Sequence, residues 1–283
     1  MSRSWTVAVT GASGHVGGRL AEELARRGHT VRPLTRNDGD VADREAMLAA
    51  LEGIEAAYYL VHSLDSGGDF EEEERRGASE FAAAARERGL ERLVYLGGIV
   101  HEADLSPHLR SRQEVGEILR SSGVPAIEFR ASIVVGEGSA SFELVKTLVE
   151  KLPTIVAPDW PDHLSQPIAI DDVLEYLIAA LDVRIEGESA IYEIGGADRV
   201  RYRDLVNEVA ERLGRPKREV TIPTPDLPGL PGVLASVLPD RLALPLHLLE
   251  SLQYDTDVRD DSARRDFDIA PRGLDEAVAA ALA

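Results

Sequence analysis

The stretch Thr10 to Leu20, TGASGHVGGRL, constrains this chain more than any other. An alternating apolar run, Trp5 to Val9, precedes it and reads as a first β-strand. Leu20 to Arg27 follows and reads as an amphipathic helix. Gly11, Gly14 and Gly17 stand between them at G-x-x-G-x-x-G spacing. The first glycine permits a tight turn, the second lets backbone approach a pyrophosphate, and the third lets the helix lie close to the strand. The N–H groups of the helix's first turn then face an anion. Glycine triplets also occur in ordinary turns. The strand before and the helix after make this one a predicted dinucleotide site.

The rest of the chain repeats the alternation. His29 to Thr35 reads as the second strand, and Arg44 to Leu51 as a helix capped by Asp43. Ile54 to His62 is almost continuously apolar, as a strand covered on both faces should be. Ser63 to Glu74 reads as a polar, acidic loop, and Arg75 to Arg88 as an Ala-rich helix. Arg92 to Leu96 and Pro125 to Ala131 read as strands, with a loop from Val100 to His108 and a helix from Leu109 to Ser121 between them. Helices follow at Ser141 to Lys151, Asp171 to Ala180 (capped by Asp171), Tyr202 to Leu213 and Leu274 to Leu282, with a short strand at Ala190 to Ile194. This pattern predicts an α/β fold: a Rossmann-type, doubly wound parallel sheet with a small C-terminal α+β substrate or lid subdomain. Residues 1–135 would form the dinucleotide-binding core. Residues 136–283 would form the mixed lid region, interleaved with the last strands of the core.

One irregularity stands out. Only Asn37, Asp38 and Gly39 separate Arg36 from Asp40-Val41, whereas a β-α-β crossover needs about a dozen residues or more. The third strand and second helix of a full Rossmann half are therefore expected to be abridged. The sheet edge beyond the second strand should be short or bare, and a bare edge is one candidate contact for a homodimer.

The residue at the end of the second strand meets the adenosine ribose in such folds, and an acid there would bind the 2′-hydroxyl of NAD. Here Thr35 and Arg36 occupy that place. The planar fork of an arginine suits a 2′-phosphate, so NADPH is expected in preference to NADH. The plainer alternative is a solvated arginine on a surface turn.

Charge narrows the partners. With 283 residues and a formal net charge of −19, the chain has no broad basic face for nucleic acid. Lysine occurs only at Lys146, Lys151 and Lys217. An acidic, lysine-poor surface suits a salt-rich cytoplasm, where ions screen self-repulsion, and predicts a halophilic source; an ordinary acidic protein from an arginine-rich proteome is the alternative. No apolar run reaches the ~20 residues of a membrane span. The first strand begins too early for a signal peptide, so a cytoplasmic location is expected. The absence of cysteine excludes disulfides and thiolate metal sites. His101, Glu102, Asp104 and His108 lack the helical two-histidine spacing of a metal site, so no metal is expected. Ser132, Ser139 and Ser141 stand in no G-x-S-x-G elbow, which argues against a hydrolase. Phe142, Trp160 and Tyr254 either line a substrate cleft or pack the core. The Pro- and Leu-rich segment Thr221 to Leu249 reads better as packing over the site than as a membrane-touching helix, because its prolines prevent one long face.

The segments TGASGHVGGRL, YYLVHSL, RLVYLGGI, LRSRQEVGEILRSSGVPAIEFRAS, SASFELVKTLVEKLP, QPIAIDDV and YEIGG, in this order, resemble the atypical short-chain dehydrogenase/reductase proteins of the NAD(P)-binding, NmrA-like group. Similar chains carry the labels nucleoside-diphosphate-sugar epimerase or 32-kDa-subunit-like protein of NADH dehydrogenase. The resemblance runs from about residue 5 to about residue 270. It implies that Ser13, His15 and Val16 sit in the phosphate loop, with Arg36 at the 2′-phosphate. Asp40 and Val41 would hold the adenine, and Val61, His62 and Ser63 would line the path to the nicotinamide ribose.

The resemblance also exposes a departure. The superfamily has a Ser or Thr after one strand and a Tyr-x-x-x-Lys on the next helix. Here those positions fall near Gly97 or Gly98, on His108 and on Arg112. Arg112 can still bind ribose hydroxyls but cannot relay a proton, because it does not deprotonate; an ordinary helix salt bridge is the alternative. His108 can replace the tyrosine as an acid, or be only a loop histidine after Pro107.

Three functions compete. The first is an NADP(H)-dependent oxidoreductase that transfers hydride to or from a small organic substrate. The second is a non-catalytic NADPH binder, either a redox sensor or a complex I accessory-type protein; the missing Ser-Tyr-Lys set favours it. The third, a sugar-nucleotide epimerase, needs the tyrosine proton relay and ranks last.

Overall fold

The computed structural model describes residues 3–61, 70–101, 105–151, 154–157, 162–185, 187–216, 218–221 and 254–283. In chain order the elements are β1 (Thr6–Thr10), α1 (His15–Arg26), β2 (Thr30–Leu34), α2 (Arg44–Ala50), β3 (Ala56–Tyr59), α3 (Phe70–Glu87), β4 (Arg92–Gly98), α4 (Pro107–Arg120), β5 (Ala126–Ala131), β6 (Val134–Val135), α5 (Ala140–Lys151), β7 (Thr154–Ala157), β8 (Leu164–Ser165), β9 (Ile168–Ala169), α6 (Ile170–Ala179), β10 (Ser189–Ile194), β11 (Val200–Arg201), α7 (Tyr202–Arg212), β12 (Arg218–Thr221), α8 (Ser262–Phe267) and α9 (Leu274–Leu282).

Six strands form one parallel sheet in the order β10-β5-β4-β3-β1-β2. The period of two along each strand divides its side chains between two cores. Val7 and Val9 of β1 and Tyr58 of β3 face α6, around Tyr176 and Leu177. Ala8 of β1 and Tyr59 of β3 face the opposite way, among Met47 of α2, Phe81 of α3 and Val115 of α4. A third cluster joins α5, α7 and α9 around Phe142, Leu205 and Val278, so Phe142 is a core residue rather than a cleft aromatic. Three two-stranded pairs, β6 with β9, β7 with β12 and β8 with β11, complete the C-terminal part.

The abridged edge is present as expected. β2 ends the sheet, and no helix forms between residues 36 and 43. Turns carry the chain instead. Asp38 accepts from the Thr35 backbone N–H at 2.8 Å and from its hydroxyl at 2.7 Å, and Asp40 accepts from the Ala42 N–H at 2.9 Å. Asp43 then caps α2, accepting from Glu45 and Ala46. Pro33 removes a donor from β2, which suits an edge strand.

Several boundaries differ from the sequence reading. Helix α1 starts at His15, ahead of the expected Leu20, so the glycine turn runs straight into its first turn. Residues expected as acidic loop open α3 at Phe70, where Glu71, Glu72 and Glu73 complement the positive end of the helix dipole. Asp171 is not the cap of α6; Ala169 holds that position, and Asp171 pairs with Arg272 at 3.0 Å. His108 is not in a loop but in the first turn of α4, after the N-cap Ser106 and Pro107. Trp160 and most of the Thr221–Leu249 segment lie outside the described residues. No described helix is long and apolar enough to cross a membrane.

Candidate functional site

A cleft of about 1210 Å³ opens over the C-terminal ends of the strands. Gly11, Ser13, Gly14, His15, Val16 and Gly17 line it, as do Thr35, Arg36, Asp40, Val41, Val61, His108 and Arg112. These are the sequence-derived candidates, gathered from separate segments of the chain. His62 and Ser63 fall outside the described residues.

The glycine turn is built by backbone contact. Gly11 has φ +66°, and a Cβ there would stand 2.4 Å from the Leu60 carbonyl oxygen. A Cβ on Gly17 would stand 2.3 Å from the Gly11 carbonyl oxygen. The turn, the start of α1 and the end of β3 therefore approach more closely than any side chain allows. Thr10 reinforces this: its hydroxyl donates to the Tyr58 carbonyl and accepts from the Leu60 N–H, both at 3.0 Å. Helix α1 has Gly14 as N-cap, with no side-chain cap and no acidic residue in its first turn. In a chain with 50 Asp and Glu residues, the positive end of this dipole faces the cleft without a resident carboxylate.

His15 sits half-buried beside this turn. Its ring lies against Gly136 and Gly138, beyond β6, and its buried Nε2 has no hydrogen-bond partner among the described residues. Burial first, and the charge of Arg19 second, push the imidazole below its ordinary pKa and favour the neutral ring.

Arg36, which follows β2, marks one end of the cleft. The other end lies past β5, four strands away in the sheet; at about 4.8 Å per strand the two are about 19 Å apart. His108 and Arg112 stand one helical turn apart on α4, both buried. The Arg112 guanidinium donates to the Leu96 carbonyl of β4 and lies 5.3 Å from the Tyr95 ring centroid, while the Tyr95 hydroxyl donates to the Arg112 carbonyl at 3.1 Å. These contacts dock α4 on β4. Gly97 and Gly98 line the cleft beside them and bring no hydroxyl.

Sequence reasoning missed a group of hydroxyls beyond β5. Ser132 bonds Ser165 and Thr256, each at 3.0 Å, and Thr256 bonds Tyr202 at 3.0 Å. Ser132 also accepts from the Gln166 N–H at 3.1 Å. Ser132, Tyr202 and Thr256 line the cleft, and all four hydroxyl residues are buried. They come from the end of β5, β8, α7 and the 254–258 segment. No short motif carries such a group; the one local signal was Ser132 at a strand end, where α/β sheets bind ligands. Among the described residues no group of His, Asp and Glu is arranged for a metal.

A parallel sheet wound with helices, with a glycine turn between β1 and α1 and a cleft at the strand ends, defines a Rossmann-type α/β protein. The chain belongs to the NmrA-like family, whose model matches residues 3–280. A search of curated protein sequences gives no match. Solved structures match over nearly the full length. The epimerase Mth375 of Methanothermobacter thermautotrophicus is 17% identical, with TM-score 0.75 and coverage of 98% of this chain and 91% of that one. MoeE5 in complex with UDP-glucose and NAD is 20% identical, with TM-score 0.72 and coverage of 98% and 97%. The UDP-glucose 4-epimerase of Thermotoga maritima, with UDP-glucose, is 13% identical, with TM-score 0.73 and coverage of 98% and 97%. At these identities the likeness is one of fold.

Proposed function

We propose that the protein binds NAD(P)H in this cleft and acts as an oxidoreductase on a small organic substrate. The observation that carries the reading is the glycine cradle: backbone closed on backbone at Gly11 and Gly17, under a helix start that neither a side chain nor an acid occupies. Such a surface suits a pyrophosphate. The family and the NAD-bound structural neighbour support the same ligand.

In this reading Ser13, His15 and Val16 surround the pyrophosphate. Asp40 and Val41 flank the adenine, Arg36 meets a 2′-phosphate and favours NADPH, and Arg112 offers donors to ribose hydroxyls. The bound cofactor supplies the hydride equivalent. The chain's own part is to orient the reactants, exclude water and manage one proton. His108 holds that proton toward the substrate oxygen. Residues beyond 135, with the hydroxyl group and α7, form the substrate side, and the bare β2 edge remains the candidate dimer contact.

Titration with NADPH and NADH tests the reading. Arg36→Ala should weaken NADPH about tenfold or more and leave NADH nearly unchanged. Equal losses would reject the 2′-phosphate assignment. His108→Gln should lower turnover about a hundredfold with affinity for NADPH intact. A non-catalytic binder is the second reading, favoured by Gly97 and Gly98 where a hydroxyl would stand. It prevails if NADPH raises the melting temperature while carbonyl, enone and quinone panels yield no NADPH oxidation. Nucleotide-sugar epimerisation, suggested by the neighbours' ligands, ranks third because His108 stands in place of the relay tyrosine.

A further inference from the structure

Arginines on this acidic surface are mostly engaged. Arg27 and Arg75 each touch two carboxylates, Arg272 bridges Asp171 and Asp172, and Arg120 and Arg130 clamp the buried Glu128. Arg36 and Arg76 differ: both line the cleft and are exposed, yet neither makes a hydrogen bond or ion pair among the described residues. With 50 acids against 31 basic residues, two such guanidiniums in one concavity call for an anionic occupant.

The two come from different elements. Arg36 follows β2, and Arg76 lies in the second turn of α3. The neighbouring Gly77 brings α3 against the turn that follows Arg36: a Cβ there would stand 3.0 Å from Val41 Cγ2 and 3.1 Å from the Tyr59 hydroxyl. The glycine lets α3 settle directly on the 39–42 turn, where Gly39, Asp40, Val41 and Ala42 also line the cleft. Glu73, one turn earlier on α3, also lines the cleft and sets a limit on the positive field.

We infer that Arg76 is a second cation for the 2′-phosphate of NADPH, opposing Arg36 across the adenosine end of the cleft. The inference rests on the NAD(P)H reading of this cleft. It adds a selectivity residue from α3, an element that the glycine motif and the β2 end do not include. A doubly charged phosphate that meets two arginines gains two charge-assisted contacts, whereas a 2′-hydroxyl gains little from either.

Equilibrium titration of the full chain with NADPH and with NADH, at fixed ionic strength, tests it. Arg76→Ala should weaken NADPH about tenfold and NADH less than about twofold. Arg76→Lys should recover part of the loss, because it keeps the charge without the fork. Glu73→Gln should tighten NADPH. In Arg36→Ala/Arg76→Ala the two cofactors should bind with similar affinity. Equal losses of both cofactors in Arg76→Ala, or no loss of either, would overturn the inference, as would a wild type that binds NADH alone. A wild type that binds neither cofactor would instead overturn the reading of the cleft itself. Circular dichroism and melting temperature, expected unchanged for this exposed residue, show that each variant is folded.

Discussion

The two ends of the cleft are made differently. The end near β1, α1 and β2 is built mainly from one continuous stretch, Thr10 to Ala42, closed by Leu60 and by α3, and its shape is largely a matter of backbone. Gly11, Gly17 and Gly39 are there because a side chain would strike a neighbour: a Cβ on Gly39 would stand 2.9 Å from that of Ala46. The far end is made of side chains borrowed from distant segments. Ser132, Ser165, Tyr202 and Thr256 are linked by contacts of 3.0–3.3 Å although 124 positions separate the first from the last. One end is a fixed mould; the other is a set of interchangeable walls. A fold divided in this way can keep one ligand half and vary the other.

The first way to break this comparison is at the mould. Gly11→Ala combines a φ of +66° with a 2.4 Å approach to the Leu60 carbonyl. The expected cost is about 2–4 kcal/mol of stability, from strain plus overpacking, and a loss of cofactor affinity beyond about a hundredfold. Chemical denaturation and NADPH titration measure both. A stable Gly11→Ala that still binds would mean the turn is more pliable than its contacts indicate.

The second prediction addresses the far wall. Thr256→Val keeps the shape but leaves Ser132 and Tyr202 each short of a partner, at a cost of about 1–3 kcal/mol. The segment carrying Thr256 is tied in by its N–H, donating to the Leu164 carbonyl at 2.8 Å, and by Asp255, which accepts from the Leu164 N–H at 2.8 Å. The substitution leaves both ties in place, so the wall should soften without detaching. NADPH affinity should stay within about twofold of wild type, while any turnover falls. A large loss of cofactor affinity in Thr256→Val would show that the two ends are coupled rather than separate.

The same division explains what the sequence disclosed. The strand–glycine–helix unit was legible because its determinants are neighbours in the chain and are set by glycine sterics. The missing strand beyond β2 was legible for a related reason: three residues between Arg36 and Asp40 leave no room for an additional helix and strand ahead of α2. Asp43 as a cap and the 274–282 helix followed from local pattern alone. The candidate residues of the near end, among them Ser13, His15, Val16 and Arg36, were named from that motif and from the family resemblance, and they line the cleft. The hydroxyl group was not legible. Its members are ordinary serines, a threonine and a tyrosine, and contacts formed only in the fold, such as the parallel bridge between Ser165 and Thr256, bring the 254–258 segment to β8. Arg76 was hidden for the same reason: within EEEERRGASE it reads as one charge among many, and Gly77 acquires meaning only against Val41. His108 was misplaced as a loop residue because Pro107 reads as a breaker, whereas at the first position of a helix its missing N–H costs nothing.

The third prediction concerns the 35–38 turn, which shapes the edge beside Arg36. Thr35 donates from both its backbone and its hydroxyl to Asp38, and these two bonds hold the Asp38 carboxyl below the ordinary carboxylate range. A carboxylate whose folded pKa is depressed contributes its stabilisation above the unfolded value and loses it as pH falls through the folded one. The turn should therefore loosen only in strongly acidic solution. Asp38→Asn should remove that dependence. By deleting a negative charge near Arg36 it should also raise the ratio of NADPH to NADH affinity about twofold. An unchanged ratio would mean the charge is screened from the phosphate position.

The smallest expected effect lies where the two ends touch. His15 begins α1 in the mould, yet its ring rests on Gly136 and Gly138, past β6 on the other side. Burial disfavours its charged form, and Arg19 adds to this. Its folded pKa is lowered, so the unfolded chain binds the proton more readily, and stability falls as pH drops through the range between the ordinary histidine value and the folded one. The ring is only half-buried, so solvent screening limits the effect to about 0.5 kcal/mol or less, or about 1–2 °C in melting temperature. Thermal melts of wild type and His15→Asn at about pH 7.5 and again at about pH 5.5 would isolate it as a difference of differences. Wild type should lose slightly more on acidification than the variant. Protonation would also place a positive charge beside the proposed pyrophosphate position, so bound NADPH should offset part of the loss and its affinity should rise slightly on acidification. If acidification affects both proteins equally, His15 is only a filler between the two walls. If the NADPH affinity of wild type rises on acidification and that of the variant does not, the mould and the far wall meet at one titrating ring.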